Sequence, residues 1–124
     1  MGATHFSGPV VSDAGFVGPN ASVPKLAAVD GALNVTTGLV VLTKGTAGAY
    51  TLAAPVVGVD DGKVVTIISG SAAAHVVTQT SPGFNGGGGA SDVATFGGAV
   101  GDGLVLVAYG GRWLVLNNTN VVLA

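Results

Sequence analysis

Downstream of residue 38 the chain alternates short runs of β-branched and apolar residues with turn residues, a texture that predicts several short strands and no long helix. The runs cover residues 39–43, 49–52, 63–69, 75–80, 92–96, 104–109, 113–117 and 121–123. Gly110-Gly111 joins two of them as a two-residue connection, where type I′ or II′ turns match the twist of the flanking strands and glycine carries no steric penalty. Asp61-Gly62 supplies a second tight turn just before Lys63.

Within 104–109, Leu104, Leu106 and Ala108 face one way and Val105, Val107 and Tyr109 the other, so both faces are apolar. Residues 63–69 nearly repeat this, with Val64 and Ile68 opposed to Val65 and Ile67. An antiparallel sheet with one wet face would alternate cleanly. These strands are therefore expected to be covered on two sides, by a second sheet of the same chain and by a neighbouring subunit. The expected fold is all-β: a small antiparallel β-sandwich or barrel-like domain over 33–124.

Residues 1–32 read differently. Gly8-Pro9, Gly15, Gly18-Pro19-Asn20 and Pro24 interrupt any ladder or helix, which predicts an extended N-terminal arm. Its apolar residues are too many for a solvated tail. His5, Phe6, Val10, Val11, Phe16 and Val17 are accordingly the candidate contact residues, toward another subunit or a larger partner. Residues 81–89, rich in consecutive glycines, predict an irregular loop. No fixed solenoid period is evident, although Gly-Ala patches recur loosely.

Composition sharpens the expectation of a partner. Apolar residues make up 48% of the 124, but charged residues only 8%, against about 25% in ordinary soluble domains. So few ionised groups cannot dominate the surface that a chain of this length leaves exposed, and an oligomer is expected. The net charge is −2, and Lys25, Lys44, Lys63 and Arg112 are scattered singly. That gives no electrostatic footprint for nucleic acid. The first residues lack a basic stretch followed by an apolar run, so no secretory signal is expected; Gly2 is not a myristoylation site, because the hydroxyl residue falls at Ser7. Residues 64–91 carry no full charge but are broken by Ser, Thr, Gln, His, Pro and Gly, so no membrane span is expected.

Candidate chemistry is sparse: no Cys, no Glu, six Asp and two His. Asp60-Asp61 has the form of a paired-carboxylate or divalent-cation site, weighed against a turn in which Asp accepts backbone hydrogen bonds, the reading favoured here. His75 opens a strand without a second histidine nearby, which favours a satisfied core or interface imidazole over a base or metal ligand. His5 reads as a contact residue, the remote option being an ion gathered by several copies. Residues 98–103 contain glycines, but not in the dinucleotide order, and a strand follows where phosphate binding needs a helix N-terminus. Asn20, Asn34 and Asn117 begin glycosylation-type triplets that carry no weight without a secretory signal. Trp113 is expected in the core. No catalytic residue, cofactor or metal site is assigned.

Taken together, residues 3–10 (Ala-Thr-His-Phe-Ser-Gly-Pro-Val), 49–55 (Ala-Tyr-Thr-Leu-Ala-Ala-Pro), Asp61-Gly62-Lys63, residues 74–78 (Ala-His-Val-Val-Thr) and 108–113 (Ala-Tyr-Gly-Gly-Arg-Trp) resemble small virion proteins of tailed bacteriophages, the head decoration or cement proteins and related fibre-like modules. The resemblance implies a β-rich homotrimer on the capsid exterior, made in the host cytoplasm. Its partners would be itself and the major capsid protein, and its N-terminal arm would reach across neighbouring capsid subunits. Nucleic acid and membrane are not among its partners, and the resemblance carries over no catalytic residue. Two other readings remain. One is a trimeric tail-fibre or spike module holding host-surface glycans on exposed Tyr50, Tyr109 or Trp113. The other is a small hydrolase or lyase in which Asp60, Asp61 or Asp102 meets His75.

Overall fold

The computed structural model describes residues 24–124. They form ten strands: β1 (Lys25–Ala27), β2 (Gly31–Ala32), β3 (Gly38–Leu42), β4 (Ala49–Thr51), β5 (Val64–Ser69), β6 (Val76–Thr78), β7 (Val93–Phe96), β8 (Gly103–Tyr109), β9 (Arg112–Thr119) and β10 (Val121–Leu123). Single 3₁₀ turns, Phe84–Gly86 and Gly88–Ala90, lie between β6 and β7. Sheet I has the order β1-β3-β5-β8-β9 and sheet II the order β10-β7-β6-β4-β2. The protein is all-β, with two five-stranded sheets.

The first six strands alternate between the sheets, odd-numbered in sheet I and even-numbered in sheet II, and every neighbour among them is parallel. Each consecutive pair is thus one coil, and three coils stack. Parallel neighbours need a crossover; here the crossover is itself a strand of the opposite sheet. Val40 pairs with Ile67 and Tyr50 with Val77, a step of 27 positions in both sheets. From the first coil to the second the steps are 15 and 19, Lys25 to Val40 and Gly31 to Tyr50. The antiparallel expectation therefore holds only for the second half, where β7 and β8 return against β6 and β5, β9 follows β8, and β10 pairs with β7. Alternating apolar residues mark a strand's faces but carry no sign of its neighbour's direction, so this difference left no trace in the local pattern. Strand pairing also begins at Lys25, inside the stretch that the sequence reads as arm.

Both sheets turn one face inward onto a common core. Sheet I contributes Val40, Leu42, Val65, Ile67, Leu104, Leu106, Ala108 and Trp113; sheet II contributes Tyr50, Val77, Ala94, Phe96 and Val121. Leu33, Leu52 and Phe84, just outside strands or in the 3₁₀ turn, complete it. Burial of each large apolar side chain contributes about 1.5–3 kcal/mol relative to exposure. The β8–β9 hairpin turns on Gly110 and Gly111 with φ of 62° and 77°, the two positive values that a type I′ turn requires. A bulge follows: Leu106 pairs with Val115 but Val105 with Asn117, so Leu116 has no partner across the ladder. The outer edge of β9 is shielded by the Phe84–Gly86 turn, where Asn85 Oδ1 accepts the Val115 N–H at 2.8 Å, a device that keeps an edge strand from templating another chain.

Candidate docking face

The outward positions of sheet I follow from the same alternation that fills the core. Register aligns Leu26, Val41 and Ile68 in one row across β1, β3 and β5. Val64, Val107 and Leu114 align in another across β5, β8 and β9, and between them lies the row of Leu39, Thr66 and Val105. Leu26 and Tyr109 are each about two-thirds exposed, and the middle of the face is half-buried. None of the nine residues in these rows is ionised, and Arg112, opposite Tyr109 at the hairpin corner, lies beyond them. Five strands at about 4.8 Å spacing and about five residues of 3.3 Å each give the whole face a footprint on the order of 400 Å², in which the Val105 row ends on Asn117 and the Ile68 row on Thr119. A patch of that size matches the largest on a typical monomer, about 300–600 Å², and such patches are often functional.

Sheet II presents a different exterior. Its outward rows are Ala32, Thr51, Thr78 and Val93, then Ala49, Val76, Thr95 and Val122. Small and hydroxyl-bearing side chains predominate there. The large apolar residues are concentrated on the opposite side of the sandwich, so the two faces are chemically distinct.

Beside Tyr109, the turn between β4 and β5 holds Val56, Val57 and Val59 in solvent. Asp60 organises the turn. Asp60 Oδ2 accepts the Val56 N–H at 2.7 Å, and Oδ1 accepts from Lys63 Nζ at 2.8 Å. The Lys63 ammonium, then the Val56 amide, hold the Asp60 carboxyl below the usual carboxylate range. Asp61 Oδ1 accepts the Gly110 N–H at 3.1 Å, tying the turn to the hairpin. The Asp60-Asp61 pair is a turn device.

His75 is buried in the core, as the sequence favoured. Its Nδ1 accepts the Gly48 N–H at 3.0 Å, and its Nε2 lies 2.9 Å from Ser71 Oγ. Ser71 Oγ donates its own proton to the Lys44 carbonyl, so it must accept from Nε2–H. The ring is therefore the neutral Nε2–H tautomer. Burial, then the nearby Lys44 charge, push its pKa down. This proton direction is opposite to the one in which a histidine activates a serine. Among the described residues, no carboxylate is a hydrogen-bond partner of His75.

The other acids and aromatics are similarly engaged. Asp102 accepts from the Ala99 amide at 2.9 Å and Asn120 Nδ2 at 3.0 Å, and Asp30 from Lys44 and the Ala49 amide. These donors lower both carboxyl pKa values, the Ala99 amide foremost for Asp102 and Lys44 for Asp30. Trp113 is buried, its Nε1–H donating to the Ala53 carbonyl at 2.9 Å. Tyr50 is buried, its hydroxyl donating to the Ala27 carbonyl at 3.0 Å. Of the three aromatics considered for sugar stacking, only Tyr109 is exposed. The sequence reading missed Leu26, hidden in the arm, and Gln79 and Asp92, whose relation depends on strand register.

The contact residues His5, Phe6, Val10, Val11, Phe16 and Val17 lie outside the described residues. Among the described residues no group of three or more His, Cys, Asp or Glu is placed to hold a metal, and no helix is long and apolar enough to cross a membrane. No family model matches the chain, and no curated protein and no solved structure matches it.

Proposed function

We propose that the protein is a non-enzymatic structural component of a virion, a decoration or cement protein that binds the outside of a phage head as a homotrimer and stabilises the shell. The observation that carries this reading is the apolar outer face of sheet I, backed by the low charge of the whole chain. A subunit with such a face gains stability by covering it. Anything that binds only the assembled shell then stabilises that shell by mass action, and repeated attachment through several arms adds avidity. The rival reading, a glycan-binding fibre or spike module, loses much of its platform because Tyr50 and Trp113 are internal.

The test combines solution mass with capsid binding. Light scattering behind a sizing column is expected to give a trimer, and mixing with expanded capsids is expected to deplete the free protein. A chain lacking residues 1–24 is expected to lose capsid binding. A dispersed monomer at high concentration, or binding to intact host cells in place of capsids, would overturn the proposal.

A further inference from the structure

The backbone bond from Gln79 N to the Asp92 carbonyl, 2.8 Å long, extends the β6–β7 ladder by one more pair. In that ladder His75, Val77 and Gln79 oppose Phe96, Ala94 and Asp92, and these positions point into the sandwich. Side chains directly opposite one another have Cβ atoms about 5 Å apart. Gln79 and Asp92 are thus neighbours on an inward face, at one mouth of the core.

Each carries a buried acceptor without a donor: Gln79 Oε1 and Asp92 Oδ1. Gln79 is 2% exposed, and its orientation is fixed because Nε2 donates to the Ser81 carbonyl at 2.6 Å. Turning the amide over would set two oxygens against each other. Asp92 also differs from the other described aspartates, since Asp30, Asp60, Asp61 and Asp102 each accept from a backbone amide. Beside it the glycine loop packs closely: a Cβ on Gly83 would lie 2.8 Å from both the Gly88 amide nitrogen and the Gly88 carbonyl oxygen, and 3.1 Å from Asp92 Oδ1. Those two oxygens therefore lie at most about 6 Å apart, across a close approach of backbone that a side chain at Gly83 would block.

The geometry points to a cation site at this mouth, formed by Asp92 Oδ1, Gln79 Oε1 and the main-chain carbonyl of Gly88. A cation would satisfy both acceptors and balance the carboxylate charge, which has no ion-pair partner among the described residues. The donors are all oxygen, which selects a hard divalent ion of the calcium class over zinc or copper. One carboxylate, one amide and one main-chain carbonyl form a weak set, with dissociation on the order of 10⁻⁴–10⁻³ M and water completing the shell.

The test uses the full chain, stripped with chelator and titrated with CaCl₂. At about ten times the dissociation constant, Ca²⁺ is expected to raise the unfolding midpoint by roughly 5 °C or more, and Asp92→Asn is expected to abolish the rise. Gln79→Leu, which places a leucine beside Leu52, is expected to weaken it at least tenfold. Substoichiometric Mn²⁺ should broaden the amide resonances of Gly83, Gly88 and Asp92 before others, a readout that stands even if a variant fails to fold. An unchanged midpoint at millimolar Ca²⁺, an equal rise in Asp92→Asn, or broadening elsewhere would overturn the assignment.

Discussion

Lowering the pH from 7.5 to 5.5 should destabilise the fold through one residue, His75. Its imidazole is neutral and buried, with Nδ1 accepting from Gly48 and Nε2–H donating to Ser71. Protonation would turn Nδ1 into a donor facing another donor. Burial lowers the folded-state pKa below the ordinary 6.5, so between the two values the unfolded chain holds a proton that the native state refuses. Stability from this group is complete above pH 6.5 and is lost as pH falls toward the folded pKa, with a slope of at most about 1.4 kcal/mol per pH unit. Urea titrations should then show the midpoint falling by roughly 0.5–1 M per unit below pH 6.5. His75→Leu removes the titration and orphans the buried Gly48 amide. The variant should be weaker at pH 7.5 by about 1–3 kcal/mol and show a flatter profile. Asp30, Asp60 and Asp102 have pKa values lowered from 3.8, so their losses fall in a separate, more acid window. A wild-type midpoint that holds steady to pH 5.5, or a variant that keeps the full slope, would refute the reasoning.

Val107→Lys, at the centre of the sheet I exterior, should leave the isolated fold within about 1 kcal/mol of wild type. In an assembly that covers this face the lysine becomes a buried unpaired charge costing about 3–5 kcal/mol, so sedimentation should show subunit dissociation constants raised by about 10²–10⁴. The matched change Thr95→Lys on sheet II should leave association intact. Trp113→Phe, which removes the bond to the Ala53 carbonyl, should cost about 1–3 kcal/mol in denaturant titrations. Gly103→Ala would set a Cβ 2.8 Å from the Ile67 carbonyl oxygen; thermal unfolding should show a loss of about 1–3 kcal/mol.

Much of this architecture is written in local pattern. The runs of valine, isoleucine and leucine mark eight strands, and Gly110-Gly111 marks the hairpin, because each depends on residues adjacent in the chain. The two-sided apolar character of 63–69 and 104–109 likewise anticipates the exposed face. The stacked coils are not legible in this way. The second and third coils match position for position, but chemistry differs where it counts: Leu42 aligns with Ser69, Gly48 with His75 and Leu52 with Gln79. The first coil is shorter, so no single period runs through all three. β1 and β2 are three and two residues long and owe their conformation to the strands they join. The pairing of Gln79 with Asp92 is set by register across an intervening glycine loop, which composition does not encode.

Seven of the nine links between successive strands pass from one sheet to the other; only β6 to β7 and β8 to β9 stay within a layer. The two layers are laced together along their length, as canvas is stitched to a lining. A pull that would slide one layer over the other must therefore draw covalent chain at every crossing, and force applied at one corner is shared among all three coils. Such a seam is suited to a part that must hold its shape under load.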